Sequence, residues 1–310
     1  MNPFSIAIHG GAGTLLKGQM TAEKEAAYKS VLQQALDTGY AILERNGSSL
    51  DAVSEAVKVL EDSPLFNAGR GSVFTATGSH EMDASIMEGQ HLKAGAVSLL
   101  RGIKNPISLA RDVMEKSEHV FLAGDGARQF ALELGYQLED EAYFYDALRY
   151  QQWQDIKDSD HFQLDHSAKK DSKFGTVGAV ACDIFGNLAA ATSTGGMTNK
   201  KWGRVGDSPM IGAGNYANNT TCAVSCTGSG EFFIRGVVAY DVSCLMEYKG
   251  LNLADAAAEV IHHRILKLGG DGGLIAVDRH GNVALPFNTE GMYRGFRKSS
   301  NENGIFIYKE

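Results

Sequence analysis

Gly175-Thr176-Val-Gly-Ala-Val-Ala-Cys182-Asp183 reads as a new strand that begins abruptly behind a polar stretch. Phe185-Gly186-Asn187 then has the composition of a tight turn, and Leu188 to Thr192 forms the returning strand, so the pair is a hairpin by its turn chemistry. Upstream, residues 151–173 scatter Trp153, Ile156, Phe162 and Leu164 among Gln, Asp, Lys, His and Ser. Such a segment buries little, and a mobile linker over about 151–175 is expected. The hairpin therefore opens a second half of the chain.

Working outward, Phe4 to His9 alternates as a strand and runs into Gly10-Gly-Ala-Gly13, expected to be a glycine loop. Tyr28, Val31, Leu32, Ala35, Ile42 and Leu43 recur at helical spacing behind Thr21, a natural N-cap with Glu23 and Glu25 in the first turn. Ser48 and Asp51 make a capping-box-like start for a second helix carrying Val53, Ala56, Val57 and Leu60, which must end before Pro64. Asn105-Pro106 opens a third helix, and Gly135 closes a fourth over Ala127 to Leu134. Short apolar strands are expected at Ala94 to Leu99 and Val120 to Ala123. Beyond the hairpin, helices are expected over Glu231 to Tyr248 and Leu253 to Leu268, then strands at Leu274 to Asp278, Val283 to Pro286 and Ile305 to Tyr308. Length alone, at 310 residues, allows two domains or one large layered fold. Helices and antiparallel-looking strands in both halves favour a single α+β layered domain.

Composition removes several classes of function. Hydrophobic residues at 44% and charged residues at 21% are those of a folded globular chain. A net charge of −8, with no basic run longer than a pair, argues against a nucleic-acid partner. No apolar stretch approaches a membrane span, the first residues lack the basic and apolar parts of a secretory signal, and a cytoplasmic protein is expected. Cys182, Cys222, Cys226 and Cys244 form no CxxC pair and read as reduced, buried hydrophobes. Glycine stands out, at 36 residues against 5 prolines, which implies many tight backbone approaches.

The glycine-rich segments are where chemistry can sit. His9-Gly-Gly-Ala-Gly13 is similar to the oxyanion loop of esterases, but the G-x-S-x-G elbow that such enzymes need is missing. Ala191-Thr-Ser193-Thr-Gly195 comes nearest, and it follows a strand of a hairpin. Gly212-Ala-Gly214-Asn-Tyr-Ala217 fits a dinucleotide fingerprint without a βαβ unit around it. More telling is the accumulation of hydroxyls and glycines in Gly175-Thr176, Thr192-Ser-Thr194-Gly-Gly, Gly203-Arg204-Val-Gly-Asp207-Ser and Thr227-Gly-Ser-Gly230-Glu231. Taken singly, each is explained by Thr favouring strands and Gly favouring turns, and Arg204 with Asp207 reads as a surface ion pair.

Together, and with Pro64-Leu-Phe-Asn67-Ala-Gly69 and Pro286-Phe-Asn-Thr-Glu-Gly291, these segments follow one known order. The chain resembles the plant-type L-asparaginase and isoaspartyl peptidase family of N-terminal nucleophile (Ntn) hydrolases, from the His9 loop to Tyr293. The resemblance implies a four-layer αββα sandwich built from both halves of a precursor cleaved between Gly175 and Thr176. The α subunit would be residues 1–175 and the β subunit 176–310, in one composite domain. Chemistry supports the arrangement, because a Thr hydroxyl needs a base and a free α-amine with a pKa of about 8 supplies one on the same residue. A catalytic His is then unnecessary, and most of the nine His residues read as surface or capping groups.

By the same resemblance, Thr194 tunes the Thr176 hydroxyl, Thr227 and Gly228 form the oxyanion hole, and Asn67 lies near the nucleophile. Arg204 and Asp207 clamp the substrate α-carboxylate and α-ammonium, with Gly230 offering its carbonyl to the ammonium. Substrates are L-asparagine and β-aspartyl dipeptides. No cofactor takes part in catalysis. A structural sodium ion is implied on the backbone carbonyls of Leu60, Glu61, Ser63, Phe66, Ala68 and Arg70, and a homodimer of αβ units is implied as the assembly. The chain departs from many members in carrying Ser229 where Thr or Asn is common. Two other readings stay open at this point: a glycosylasparaginase-like amidase, and a non-catalytic module of the same fold that captures an amino acid.

Overall fold

The computed structural model describes residues 2–13, 15–158 and 175–309. In chain order its strands are β1 (Ser5–Gly13), β2 (Met82–Glu88), β3 (Ala94–Leu100), β4 (Phe121–Ala123), β5 (Val177–Cys182), β6 (Leu188–Thr194), β7 (Asn215–Ala217), β8 (Cys222–Gly228), β9 (Gly272–Asp278), β10 (Val283–Ala284), β11 (Gly291–Lys298) and β12 (Asn303–Tyr308). They form an eight-stranded sheet ordered β12-β11-β1-β5-β6-β2-β3-β4 and a four-stranded sheet ordered β10-β9-β8-β7. All pairings are antiparallel except β3 with β4. Strands from both halves of the chain interleave, as β5 pairs with β1 on one side and β6 on the other. The protein is α+β.

The helices α1 (Ala22–Glu44), α2 (Ser49–Glu61) and α3 (Pro106–Lys116) pack on the large sheet. Their starts follow the cap chemistry: Thr21 Oγ1 accepts from Lys24 N at 3.3 Å, and Ser48 Oγ accepts from Asp51 N at 3.0 Å. The short helices α4 (Gly124–Glu133), α5 (Glu141–Phe144) and α6 (Ala147–Gln154) complete the first half. In the second half, α7 (Gly230–Gly236), α8 (Val238–Lys249) and α9 (Leu253–Glu259) follow β8, and α8 and α9 lie against the small sheet.

Three apolar clusters show how the layers are glued. One joins α1–α3 to the large sheet through Ile6, Ile8, Leu32, Leu60, Ala179 and Ala191. A second joins α8 and α9 to the small sheet through Val224, Cys226, Val242 and Leu274. The third lies between the sheets and is built from smaller groups such as Ala7, Val180, Ala190, Ala223 and Val277. Burying each large aliphatic side chain contributes about 1.5–3 kcal/mol. Alternation along the strands decides membership: on β5, Val177, Ala179 and Ala181 face the helices, while Val180 and Cys182 face the other sheet.

Several expectations are corrected. Gly10 to Gly13 is no loop but the end of β1, with a register shift between His9 and Gly11 against β11. The segment expected as linker starts too early at residue 151, because 151–154 completes α6 and Trp153 stacks on Phe74 with ring centroids 5.7 Å apart. Residues 159–174 of that linker lie outside the described residues. The single helix expected over 231–248 is two, since Val237 adopts φ 47° and breaks it. The helix expected over 253–268 passes through a π-helical segment at Val260–Arg264. The strand expected over 283–286 covers only Val283–Ala284. His9 and His80 are buried, not surface groups. No disulfide joins the cysteines, and burial pushes the Cys182 and Cys222 thiols up to about 12, which leaves them poor nucleophiles. Among the described residues no helix is long and apolar enough to cross a membrane, and no three His, Cys, Asp or Glu side chains cluster as a metal site.

Candidate active site

The same alternation that builds the inter-sheet layer delivers polar groups to it. Thr176 precedes β5 in phase with Val180 and Cys182, Thr192 and Thr194 follow Ala190 on β6, Ser225 and Thr227 follow Ala223 on β8, and His9 follows Ala7 on β1. Where the strands end, these positions open into a pocket lined by Gly175, Thr176, Thr194, Arg204, Asp207 and Gly228, together with Gly196, Met197, Gly206 and Ser208. Six residues expected from the sequence are thus brought to one place.

Thr176 is 7% exposed. Its Oγ1 lies 3.2 Å from Ser208 Oγ, and its backbone carbonyl is 2.9 Å from His9 Nδ1. Thr194 lines the pocket, yet its Oγ1 accepts from Gly196 N at 3.0 Å, and the partner of the Thr176 hydroxyl among the described residues is Ser208. Thr227 Oγ1 accepts from Ala12 N at 3.3 Å, an arrangement in which its own proton is the one that can be donated. A Cβ on Gly175 would stand 3.2 Å from that oxygen, which puts Thr227 against the Gly175–Thr176 junction. Gly11 packs on the same junction from β1: its φ is 110°, and a Cβ there would meet Gly175 N at 2.7 Å, so glycine is required. The chain is continuous here, and the Thr176 nitrogen is an amide in this form.

Charge enters the pocket lining through Arg204 and Asp207. Asp207 is buried, and Oδ2 has no hydrogen-bond partner among the described residues. Burial pushes its carboxyl up to about 7, against the opposing pull of the Arg204 charge. Arg204 is bonded not to Asp207 but to Glu231, through Nε–Oε1 and Nη2–Oε2 contacts of 2.9 Å each. This corrects the surface pairing of Arg204 with Asp207. The Glu231 side chain is half exposed, so a second carboxylate can reach the Arg204 fork from solvent and take its place. At Gly230 a Cβ would sit 2.9 Å from Arg204 Nη2 and 3.0 Å from Asp207 Oδ1, so only glycine lets both groups approach that backbone.

Asn67 does not line the pocket. Its Nδ2 donates to Gly196 O at 2.7 Å, its Oδ1 accepts from Val73 N at 3.1 Å, and its carbonyl accepts from Gly195 N at 2.9 Å. It ties the 67–73 segment to the turn after Thr194. Lys200, also buried, donates to Gly195 O at 2.9 Å. The chain segment 60–70 begins in the last turn of α2 and continues past its end. There the side chain of Glu61 is wholly buried, accepts from Ser193 Oγ at 2.6 Å and Ile107 N at 3.0 Å, and is pushed up to about 8 by burial. Sequence reasoning assigned no role to the side chains of Glu61, Ser208 or Lys200. Ser208 and Lys200 had a signal, as the residue after Asp207 and as the last residue of the motif Thr192-Ser-Thr-Gly-Gly-Met-Thr-Asn-Lys200.

With this geometry in place, the comparisons with known proteins are specific. A family model described as asparaginase matches residues 1–307, and the chain belongs to that family. It is 52% identical over 313 residues to an isoaspartyl peptidase of Salmonella typhimurium strain LT2, covering 100% of both chains. Identity to an isoaspartyl peptidase of Escherichia coli strain K12 is also 52%, over 100% of this chain and 98% of that one. A plant-type L-asparaginase of Pyrococcus abyssi strain GE5 is 43% identical over 304 residues, covering 95% of this chain and 96% of the other.

Proposed function

We propose that the chain is an isoaspartyl peptidase and L-asparaginase, a threonine amidohydrolase that cleaves itself between Gly175 and Thr176. The observation that carries the reading is that one pocket is lined both by Thr176 and by Arg204 with Asp207. A zwitterionic aspartyl head fits that polarity: its carboxylate replaces Glu231 on the Arg204 fork, and its ammonium lies on Asp207 with the Gly230 carbonyl. Asparagine and β-aspartyl dipeptides share this head and differ in the leaving group, ammonia or an amino acid.

In the processed enzyme Thr176 is the first residue of the β subunit, residues 176–310, and its α-amine takes the proton from Oγ1 as that oxygen attacks the side-chain carbonyl carbon. Thr227 Oγ1 and the Gly228 N–H hold the oxyanion. The C–N bond breaks with the proton returned to the leaving nitrogen, and water then cleaves the Thr176 ester to release aspartate. Thr194 acts on the nucleophile from the pocket wall, and Asn67 fixes the turn that follows it. The two facing sheets with helices on their outer sides correspond, in this reading, to the four-layer αββα sandwich of Ntn hydrolases.

A sodium ion held by the carbonyls of Leu60, Glu61, Ser63, Phe66, Ala68 and Arg70 belongs to the same reading. Residues 60–71 suit it, because Glu61 O and Phe66 O crowd the places where a Cβ on Gly69 and Gly71 would stand, at 2.5 and 2.0 Å, so glycines let carbonyls converge. The ion would brace the segment that carries Asn67 and supply no reactive group. A dimer of αβ units in the cytoplasm completes the proposal. The test is release of L-aspartate from L-asparagine and from a β-aspartyl dipeptide. The wild type is expected to act on both and Thr176→Ala on neither, whereas turnover by Thr176→Ala that Ser193→Ala abolishes would replace the threonine with a serine mechanism.

A further inference from the structure

A chain of buried hydrogen bonds runs between the two sheets and ends on the nucleophile's own backbone. Asn215 Nδ2 donates to Thr192 Oγ1 at 3.0 Å, Thr192 Oγ1 is 2.7 Å from Ser225 Oγ, Ser225 Oγ is 2.8 Å from His9 Nε2, and His9 Nδ1 is 2.9 Å from the Thr176 carbonyl. All five residues are buried. A carbonyl can only accept, so Nδ1 carries the ring proton, and Nε2 must then accept from Ser225. Ser225, having donated its single proton to His9, accepts from Thr192, which in turn accepts from Asn215. Every bond in the chain therefore runs toward Thr176, with Gly214 O, 3.3 Å from Thr192 Oγ1, as a longer competing acceptor for the Thr192 proton. The backbone leaves room for it: a Cβ on Gly178 would sit 2.0 Å from Ser225 Oγ and 2.4 Å from His9 Nε2, in the middle of the contact.

We infer that His9 is a positioning residue, which as the neutral Nδ1–H tautomer anchors the carbonyl of Thr176 and so aims its hydroxyl after cleavage. The inference rests on the amidohydrolase reading above. Before cleavage the chain on both sides holds Thr176 in place. Afterwards it is a chain terminus, and termini fray unless tied down. The ladder of β5 begins only at Val177, so the His9 bond is the tie on the backbone of the nucleophilic residue, beside the Ser208 contact on its hydroxyl. His9 touches neither Arg204 nor Asp207 in the hydrogen-bond network, so substrate affinity should be spared.

The experiment compares wild-type, His9→Phe, His9→Asn and Ser225→Ala proteins in steady-state release of aspartate from asparagine. Side-chain ¹⁵N spectra of the histidine-labelled enzymes are recorded in parallel. A displaced reacting group costs about 100-fold for 1 Å. His9→Phe is therefore expected to lose about 10- to 100-fold in kcat with KM changed less than about twofold. His9→Asn, whose amide N–H can replace the Nδ1 donor, is expected to recover most of that loss. The wild type should show a non-exchanging Nδ1–H tautomer that is missing in His9→Asn. If His9→Phe does not fold, Ser225→Ala keeps the test open, with an expected fall in kcat of about threefold or more at unchanged KM. Wild-type kcat in His9→Phe or, where that protein does not fold, in Ser225→Ala, or an Nε2–H tautomer for His9, would overturn the inference. A His9→Asn protein as slow as His9→Phe would also overturn it, by assigning His9 to packing. Failure of the wild type to release aspartate would instead overturn the amidohydrolase reading, so the two failures are distinguishable.

Discussion

The groups around Thr176 and those around Arg204 are built on opposite principles. Around Thr176 the groups are neutral and buried: the hydroxyls of Ser208 and Thr227 and the His9 imidazole, which burial pushes down to about 3 and so keeps uncharged. Thr227 and His9 are fixed by strands whose alternation points them between the sheets, and Ser208 comes from the turn after Asp207. Around Arg204 the groups are ionic and exchangeable, with a guanidinium bonded to a half-exposed Glu231 and a buried Asp207 carboxyl that is half neutral near pH 7. One group is preorganised and the other is set to trade partners. Pre-set neutral dipoles serve a charge that develops only during reaction, while exchangeable charges serve a substrate that arrives already ionised.

The contrast can be broken most severely among the groups around Thr176. Thr227→Ala removes a hydroxyl donor while keeping the strand, and kcat is expected to fall about 100- to 1000-fold with little change in KM. A matching rise in KM would show that Thr227 binds the ground state. Among the ionic groups the split should reverse. Arg204→Lys keeps the charge but loses the planar fork, and KM for asparagine is expected to rise about 10- to 100-fold with kcat less affected. The smallest effect is titration of Asp207. Its raised pKa means that the carboxylate needed for an ammonium is present above about pH 7 and lost below it, so KM should climb by about tenfold per pH unit on acidification. A KM that is flat down to pH 5 would show that Asp207 does not meet the ammonium.

Much of the fold was legible where local chemistry decides it. Thr21 and Ser48 cap α1 and α2 as their sequences imply, Pro106 opens α3, and Phe185-Gly186-Asn187 turns the central hairpin. β2, β7, β8 and β11 were not anticipated. β8 shows why: Cys222-Ala-Val-Ser-Cys-Thr-Gly228 carries hydroxyls at alternate positions, and these face the eight-stranded sheet instead of water. Alternation is local, but what lies opposite is not. The same blindness hid His9, since a histidine beside glycines looks like a loop residue until Ser225 and Thr176 are brought to its two nitrogens from 216 and 167 positions away. Arg204 and Asp207 were found as neighbours in sequence, whereas the Arg204–Glu231 bond spans 27 residues and needed the fold to reveal it.

The central claim is that Thr176 becomes a chain terminus whose amine serves its own hydroxyl. Intact mass of the purified protein after incubation, with Thr176→Ala alongside, tests it most directly. The account predicts two fragments in the wild type alone, separated between Gly175 and Thr176. A wild-type chain that stays whole while releasing aspartate at the full rate would contradict it.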